Sequence, residues 1–211
     1  MSDLPGGQWA HVLVGHQWPS SSALAVLSAA VASRHAVGAS FHSYADVLRA
    51  VSQTMLPDQE GVAAENIRAS FRGGEEHARA VAERNAAKKE ALDCAHRRAS
   101  ELRSALTEIA DRGAGQIRSI IAGEDPAPAK IARVVEVVLA AQTDADARAA
   151  MCLQEIYGSI QSVLDTCGPT TSARQFAHGH GAEPDSLHSA RHPDAVHQRV
   201  SEIIETAVTP P

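Results

Sequence analysis

Five histidines, His178, His180, His188, His192 and His197, gather near the C-terminal end of the chain. Neutral imidazoles bind transition metals, and the His-Gly-His step at 178–180 could bring two rings to one ion. The residues around them are Gly, Ser, Pro and Ala, which fix no ligand geometry, so the histidines read as incidental and no metal is expected. The basic pairs Lys88-Lys89 and Arg97-Arg98 could meet phosphates. Glu83, Glu90, Asp93 and Glu101 lie among them, several three or four residues from a cation, which is the pattern of a solvated mixed-charge helix face. Cys94, Cys152 and Cys167 are odd in number and form no disulfide framework; they read as small thiols packed between helices. On a shared helix Cys152 and Cys167 would stand about 22 Å apart. The sequence has no phosphate-cradling P-loop, no dinucleotide glycine fingerprint, no Cys-x-x-Cys, no His-Glu-x-x-His and no Gly-x-Ser-x-Gly. No catalytic residue and no cofactor is therefore expected.

What the sequence does specify is helix. Stepping by four and three from Ile67 lands on Phe71, Gly74, Ala78, Val81, Asn85, Lys88, Leu92, Ala95, Ala99, Leu102, Leu106, Ile109 and Gly113. This predicts one long helix over residues 67–121, with a narrow apolar seam and charged residues between the seam positions. A lone helix of that length is unstable, so the seam demands companions. Asn85 and Lys88 are polar seam positions; either they lie where the seam is open to solvent or they fix its register. The clusters Gly73-Gly74 and Gly113-Ala114-Gly115 mark bends or places where a neighbouring backbone comes close.

The companions come from the flanking sequence. Residues 1–15 read as a loop or short helix with Trp9 and Val12 to Val14 as apolar anchors. Pro19 and the serines that follow cap a helix whose stripe includes Leu24, Leu27, Val31, Val37, Phe41, Tyr44, Leu48 and Val51. Pro57 breaks it and Asp58 can cap the next, giving an antiparallel hairpin. After residues 123–128, a short helix carries Ile131, Val134, Val135 and Val138, and Thr143 or Asp144 caps a further one ending near Cys167. The first helix is about 50 Å long against about 80 to 90 Å for the central one, at 1.5 Å per residue. It can cover only the end near Ile67, leaving the later helices to cover the end near Ile121. The expected fold is all-α: an elongated antiparallel bundle over residues 1–168 built on a long hairpin. Residues 169–211 read as a flexible or disordered tail, with a possible short helix over 194–206.

Composition narrows the function classes. Aromatic residues are 3% of the chain, which argues against a β-sandwich, and a net charge of −6 gives no general pull toward nucleic acid. No uninterrupted apolar run reaches the roughly 18 residues of a membrane span, and the first cation is Arg34, so a general-pathway signal is not expected. Membrane association is left open.

An Ala-rich hairpin whose turn runs Gln59-Glu60-Gly61-Val62-Ala63-Ala64 resembles the secreted helical proteins of actinobacterial type VII (ESX) systems, in whose WXG branch Trp-x-Gly stands at the turn. Gly61 matches, and Gln59 stands where the tryptophan would. Trp18-Pro19, entering the helix from Ser22, is similar to the amino-terminal helical domain of PPE-like and channel-and-toxin relatives. The likeness spans residues 17–168 in pattern and length. It implies a non-catalytic helical interaction protein, secreted or envelope-associated without a classical signal peptide, that binds a WXG- or PE-like helical partner. The Tyr-x-x-x-Asp/Glu export signal of such systems is absent, since Tyr44 is followed at that spacing by Leu48 and Tyr157 by Gln161; the partner would then supply it. The seam residues expected to carry interaction are Phe41, Leu48, Phe71, Val81, Leu92, Leu102, Leu106 and Ile109. The alternative is a cytoplasmic coiled-coil scaffold that self-associates through the same stripe.

Overall fold

The computed structural model describes residues 4, 7–55, 60–168, 171–181 and 193–208. The fold is all-α: α1 (Gly7–Val14), α2 (Ser21–Met55), α3 (Val62–Ala122), α4 (Ala127–Cys167), α5 (Ala173–Gly179) and α6 (Pro193–Val208). The chain forms two compact units. Unit one comprises Met1–Leu24, Arg97–Glu155 and Arg174–Pro211; unit two comprises Ala25–His96 and Ile156–Ala173.

The long central helix is α3, 61 residues and about 92 Å. It starts at Val62, earlier than the seam pattern predicts, because Gly61 turns the chain with φ at 101° and offers its carbonyl to the Glu65 amide at 3.1 Å. Only glycine adopts that φ without strain, so Gly61→Ala is expected to destabilise by about 1–3 kcal/mol in a denaturant titration. Helix α2 begins where the serines place it: the Ser20 hydroxyl accepts the Ala23 amide at 3.1 Å. Gln59, Pro57 and Asp58 lie outside the described residues.

The two helices expected between residues 129 and 167 are one. Thr143 does not cap; its hydroxyl donates to the Leu139 carbonyl one turn back, at 2.8 Å, which leaves the helix unbroken. Asp144 is spent on Arg148 and Arg112, at 3.7 and 3.6 Å. The break before α4 falls where the Gly-Pro-rich stretch places it, and Lys130 closes it by donating to the Ile121 carbonyl at 2.9 Å.

Unit one has a core of large side chains from four helices: Trp9, Leu13 and Val14 of α1, Leu106, Ile109 and Ile117 of α3, Val134 and Val138 of α4, and Val200 and Ile204 of α6. The first fifteen residues are thus a structural element. Leu13 is 0% exposed and lies where Gly113 leaves room; a Cβ on Gly113 would come within 2.6 Å of a Leu13 methyl. Gln142 donates to the Val12 carbonyl at 2.7 Å, tying α1 to α4. The helix expected over 194–206 is α6, and it enters this core. Helix α5 lies in the stretch read as a flexible or disordered tail, where a His- and Gly-rich composition conceals a seven-residue helix.

Unit two pairs α2 with the N-terminal half of α3 in antiparallel fashion and also holds the C-terminal end of α4, where Leu164 is buried. Contacts recede from the turn together: Leu48 with Gly74, then Gly38 with Ala82 and Asn85. Arg49 and Arg79 both reach Glu75, at 2.9 and 3.1 Å, and approach Asp46. The Glu75 hydrogen bond raises the pKa of the Arg49 guanidinium. These exposed pairs orient the helices more than they stabilise them. The buried residues here are small, Ala45, Ala64, Ala78, Ala82 and Ala173, joined by Leu164 and Asn85. Asn85 is 6% exposed, so it is not at an open stretch of seam; its amide donates to the Val81 carbonyl at 2.8 Å and its oxygen receives Arg34 at 3.4 Å.

Candidate partner-binding seam

The eight seam residues divide by unit. Leu102, Leu106 and Ile109 are buried in unit one, Leu106 at 0% exposure, and serve as core. Phe41, Leu48, Phe71, Val81 and Leu92 belong to unit two, and every one of them is half-buried. These large apolar side chains stay partly exposed beside a core that is mostly alanine. Covering a Phe, Leu or Val fully contributes about 1.5–3 kcal/mol relative to leaving it exposed. Most of each side chain is already covered in the isolated chain, so only the smaller part of that remains unrealised.

Helix α2 exposes further apolar side chains. Val26 is 68% exposed, with Tyr44 and Val47 also turned to solvent. Over Ser21–Thr54 it carries an 18-residue window of mean hydropathy 1.3, none of it buried, which by length and composition could cross a membrane. The sequence was expected to hold no such segment; counting uninterrupted apolar residues overlooks an Ala- and Ser-rich helix of this kind. Leu24, Val26, Leu27, Val31, Val37 and Phe41 favour insertion by about 0.3–0.6 kcal/mol each, whereas one arginine at the centre of a span costs about 2.5–3.5 kcal/mol. Arg34 alone therefore offsets the apolar gain, and His35 and the serines add to its side. The apolar gain and the cost of burying Arg34 therefore roughly cancel.

The residues that carry the family likeness sit in two places. Trp18 and Pro19 are half-buried in unit one, held by Arg103, whose guanidinium lies 4.5 Å over the indole ring and donates to the Pro19 carbonyl at 2.9 Å and the Ser21 hydroxyl at 3.1 Å. One cation thus fixes the entry to α2, and Arg103→Ala is expected to lower stability by about 1–2 kcal/mol, read by denaturant midpoint. Sequence reasoning missed Arg103, since nothing in its local pattern points back to residue 18. Glu60 is exposed beside Gly61 at the start of α3.

The other candidates for chemistry are scattered. Among the described residues no group of three or more His, Cys, Asp or Glu side chains is placed to hold a metal ion. His178 and His180 lie at α5, where His180 stacks on Phe176; His197 is on α6, and His188 and His192 lie outside the described residues. The cysteines are free, Cys94 and Cys152 half-buried but Cys167 exposed at the end of α4, where it does not pack between helices. Lys89 pairs with Asp93 at 2.5 Å, and Arg98 pairs with Glu101 and Glu155, as a mixed-charge face requires. A groove in unit one is lined by Leu102, Cys152 and Met151 with these arginine and glutamate side chains at its edge.

The chain is similar to the uncharacterized protein Rv2082 of Mycobacterium tuberculosis, 29% identical over 185 residues. The match covers 87% of this chain and 25% of that protein, so the chain spans about a quarter of the relative's length. No family model and no solved structure matches the chain.

Proposed function

We propose that the chain is a non-catalytic helical interaction protein of type VII secretion, binding a partner helical hairpin along the seam of unit two. The observation that carries it is that five large seam residues stay partly exposed beside a mostly alanine core, in a unit whose antiparallel hairpin is held by small-residue contacts and surface ion pairs. Interfaces that are completed only on association look like a domain core cut open. The secretion half of the proposal is supported by the hairpin with Gly61 at its turn and Trp18-Pro19 at its entry, both features of the proteins it resembles.

Expression of the tagged chain in a mycobacterium, with type VII export intact or disabled, tests both halves together. The expected outcome is co-purification with a helical hairpin protein, and appearance in the culture filtrate only when export is intact. A chain confined to the cytosol, with no such partner and a homodimer by light scattering, would point instead to the self-associating scaffold.

A further inference from the structure

We propose that the groove of unit one that holds α6 is a helix-binding site, and that α6 of a second copy can take the place of the chain's own, so that two copies exchange these helices. Helix α6 meets the rest of unit one along a single stripe. Val200 and Ile204 are buried, Val196, Ser201 and Ile203 are half-buried, and every other residue from 193 to 206 is exposed. Val196, Val200, Ile203 and Ile204 stand at i, i+4, i+7 and i+8, the anchor spacing with which an amphipathic helix fills a groove on another protein. They pack into the core that contains Leu13, Ile117, Val134 and Val138. The polar contacts of Gln198, Arg199 and Thr206 close on α6 itself: the first two reach the Glu202 carboxylate at 3.3 and 3.1 Å, and the Thr206 hydroxyl donates to the Glu202 carbonyl at 2.6 Å. Its neighbours are tied to one another differently, α1 to α4 through Gln142 and the Val12 carbonyl at 2.7 Å, and α3 to α4 through Arg112 and Asp144 at 3.6 Å.

The seated α6 displays what the groove accepts. A 16-residue helix is marginal in water by itself, so α6 orders as it docks and leaves as one segment. Eleven residues, 182–192, separate Gly181 from Pro193, a reach of at most about 36–40 Å. The helix of a second copy offers the same aliphatic anchors at the same spacing. An exchanged pair therefore makes the same contacts twice and closes by two-fold symmetry, with no new complementarity required. What decides between the two arrangements is the effective concentration that the connecting residues impose, which a second copy must match. The site lies wholly in unit one and is independent of the unit-two seam.

A labelled peptide of residues 193–208 stands in for the second copy's helix in fluorescence anisotropy against the full chain. Val200→Ala with Ile204→Ala in the chain weakens the resident competitor, so the peptide is expected to bind that variant at least about tenfold more tightly than the native chain. The same two changes placed in the peptide should abolish binding. The native chain is expected to form dimers by light scattering once its concentration exceeds the dissociation constant of the peptide, and a chain that stays monomeric there overturns exchange between copies. Where the doubly substituted chain does not fold, the full chain with a protease site introduced within residues 182–192, cut after folding, serves instead. Its severed α6 is expected to leave on dilution and to be replaced by the peptide, with the tryptophan emission of unit one retained. A severed helix that does not exchange, or whose departure unfolds unit one, makes α6 a fixed part of the core and overturns the proposal, as does failure of the peptide to bind either folded chain.

Discussion

Leu13→Ala is expected to lower the unfolding free energy of unit one by about 2–5 kcal/mol, because it empties a fully buried site that neighbours on α3 cannot collapse to fill. Both tryptophans of the chain, Trp9 and Trp18, lie in unit one, so indole fluorescence during denaturation reads that unit selectively. The reciprocal change gives a sharper check. In the native background a Gly113→Ala methyl meets Leu13 at 2.6 Å, and overpacking of about 1–3 kcal/mol works against a helix-propensity gain of about 1 kcal/mol. In the Leu13→Ala background the same methyl enters vacated space, and Gly113→Ala becomes stabilising. A reversal of sign in that double-mutant cycle is expected; independent effects would mean that Leu13 and Gly113 do not share the site.

Phe71→Ala combined with Leu92→Ala is expected to act in the opposite way, leaving the fold and removing the partner. Each side chain is partly exposed, so truncation forfeits about 1–2 kcal/mol of folding stability and little helicity by circular dichroism. Apolar anchors at the centre of an interface typically contribute about 2 kcal/mol or more, so the pair should weaken capture of the helical partner at least about a hundredfold. Leu106→Ala provides the contrast: it lies in the same heptad series but is wholly buried in unit one, and its cost of about 2–5 kcal/mol should appear in stability.

The heptad spacing from Ile67 to Gly113 made the long helix legible, as the Ser20 cap and the proline-containing breaks made its neighbours. Spacing alone could not say which seam positions would end up covered. Leu92 and Leu106 are both leucines of one series, and what separates them is whether bulky residues distant in sequence, Leu13 or Val200, arrive in the same unit. The fit of Leu13 into the space beside Gly113 is likewise invisible in either local sequence. Thr143 was misread because a threonine that would cap a helix can also donate to the carbonyl four residues back and remain inside one. Trp9, Ala10, Leu13 and Val14 already carry the four-residue spacing of an amphipathic helix; the flanking glycines obscured it.

Hydrogen–deuterium exchange along α3 of the isolated chain tests most directly the proposal that a partner helix completes the core of unit two. One continuous helix passes through both units, so backbone geometry and sequence separation are matched. The account predicts that amides of residues 68–96, over alanines and half-covered seam residues, exchange through openings of much lower free energy than those of residues 100–120, beneath Leu13, Val134 and Val200. Equal protection along the whole helix would contradict it.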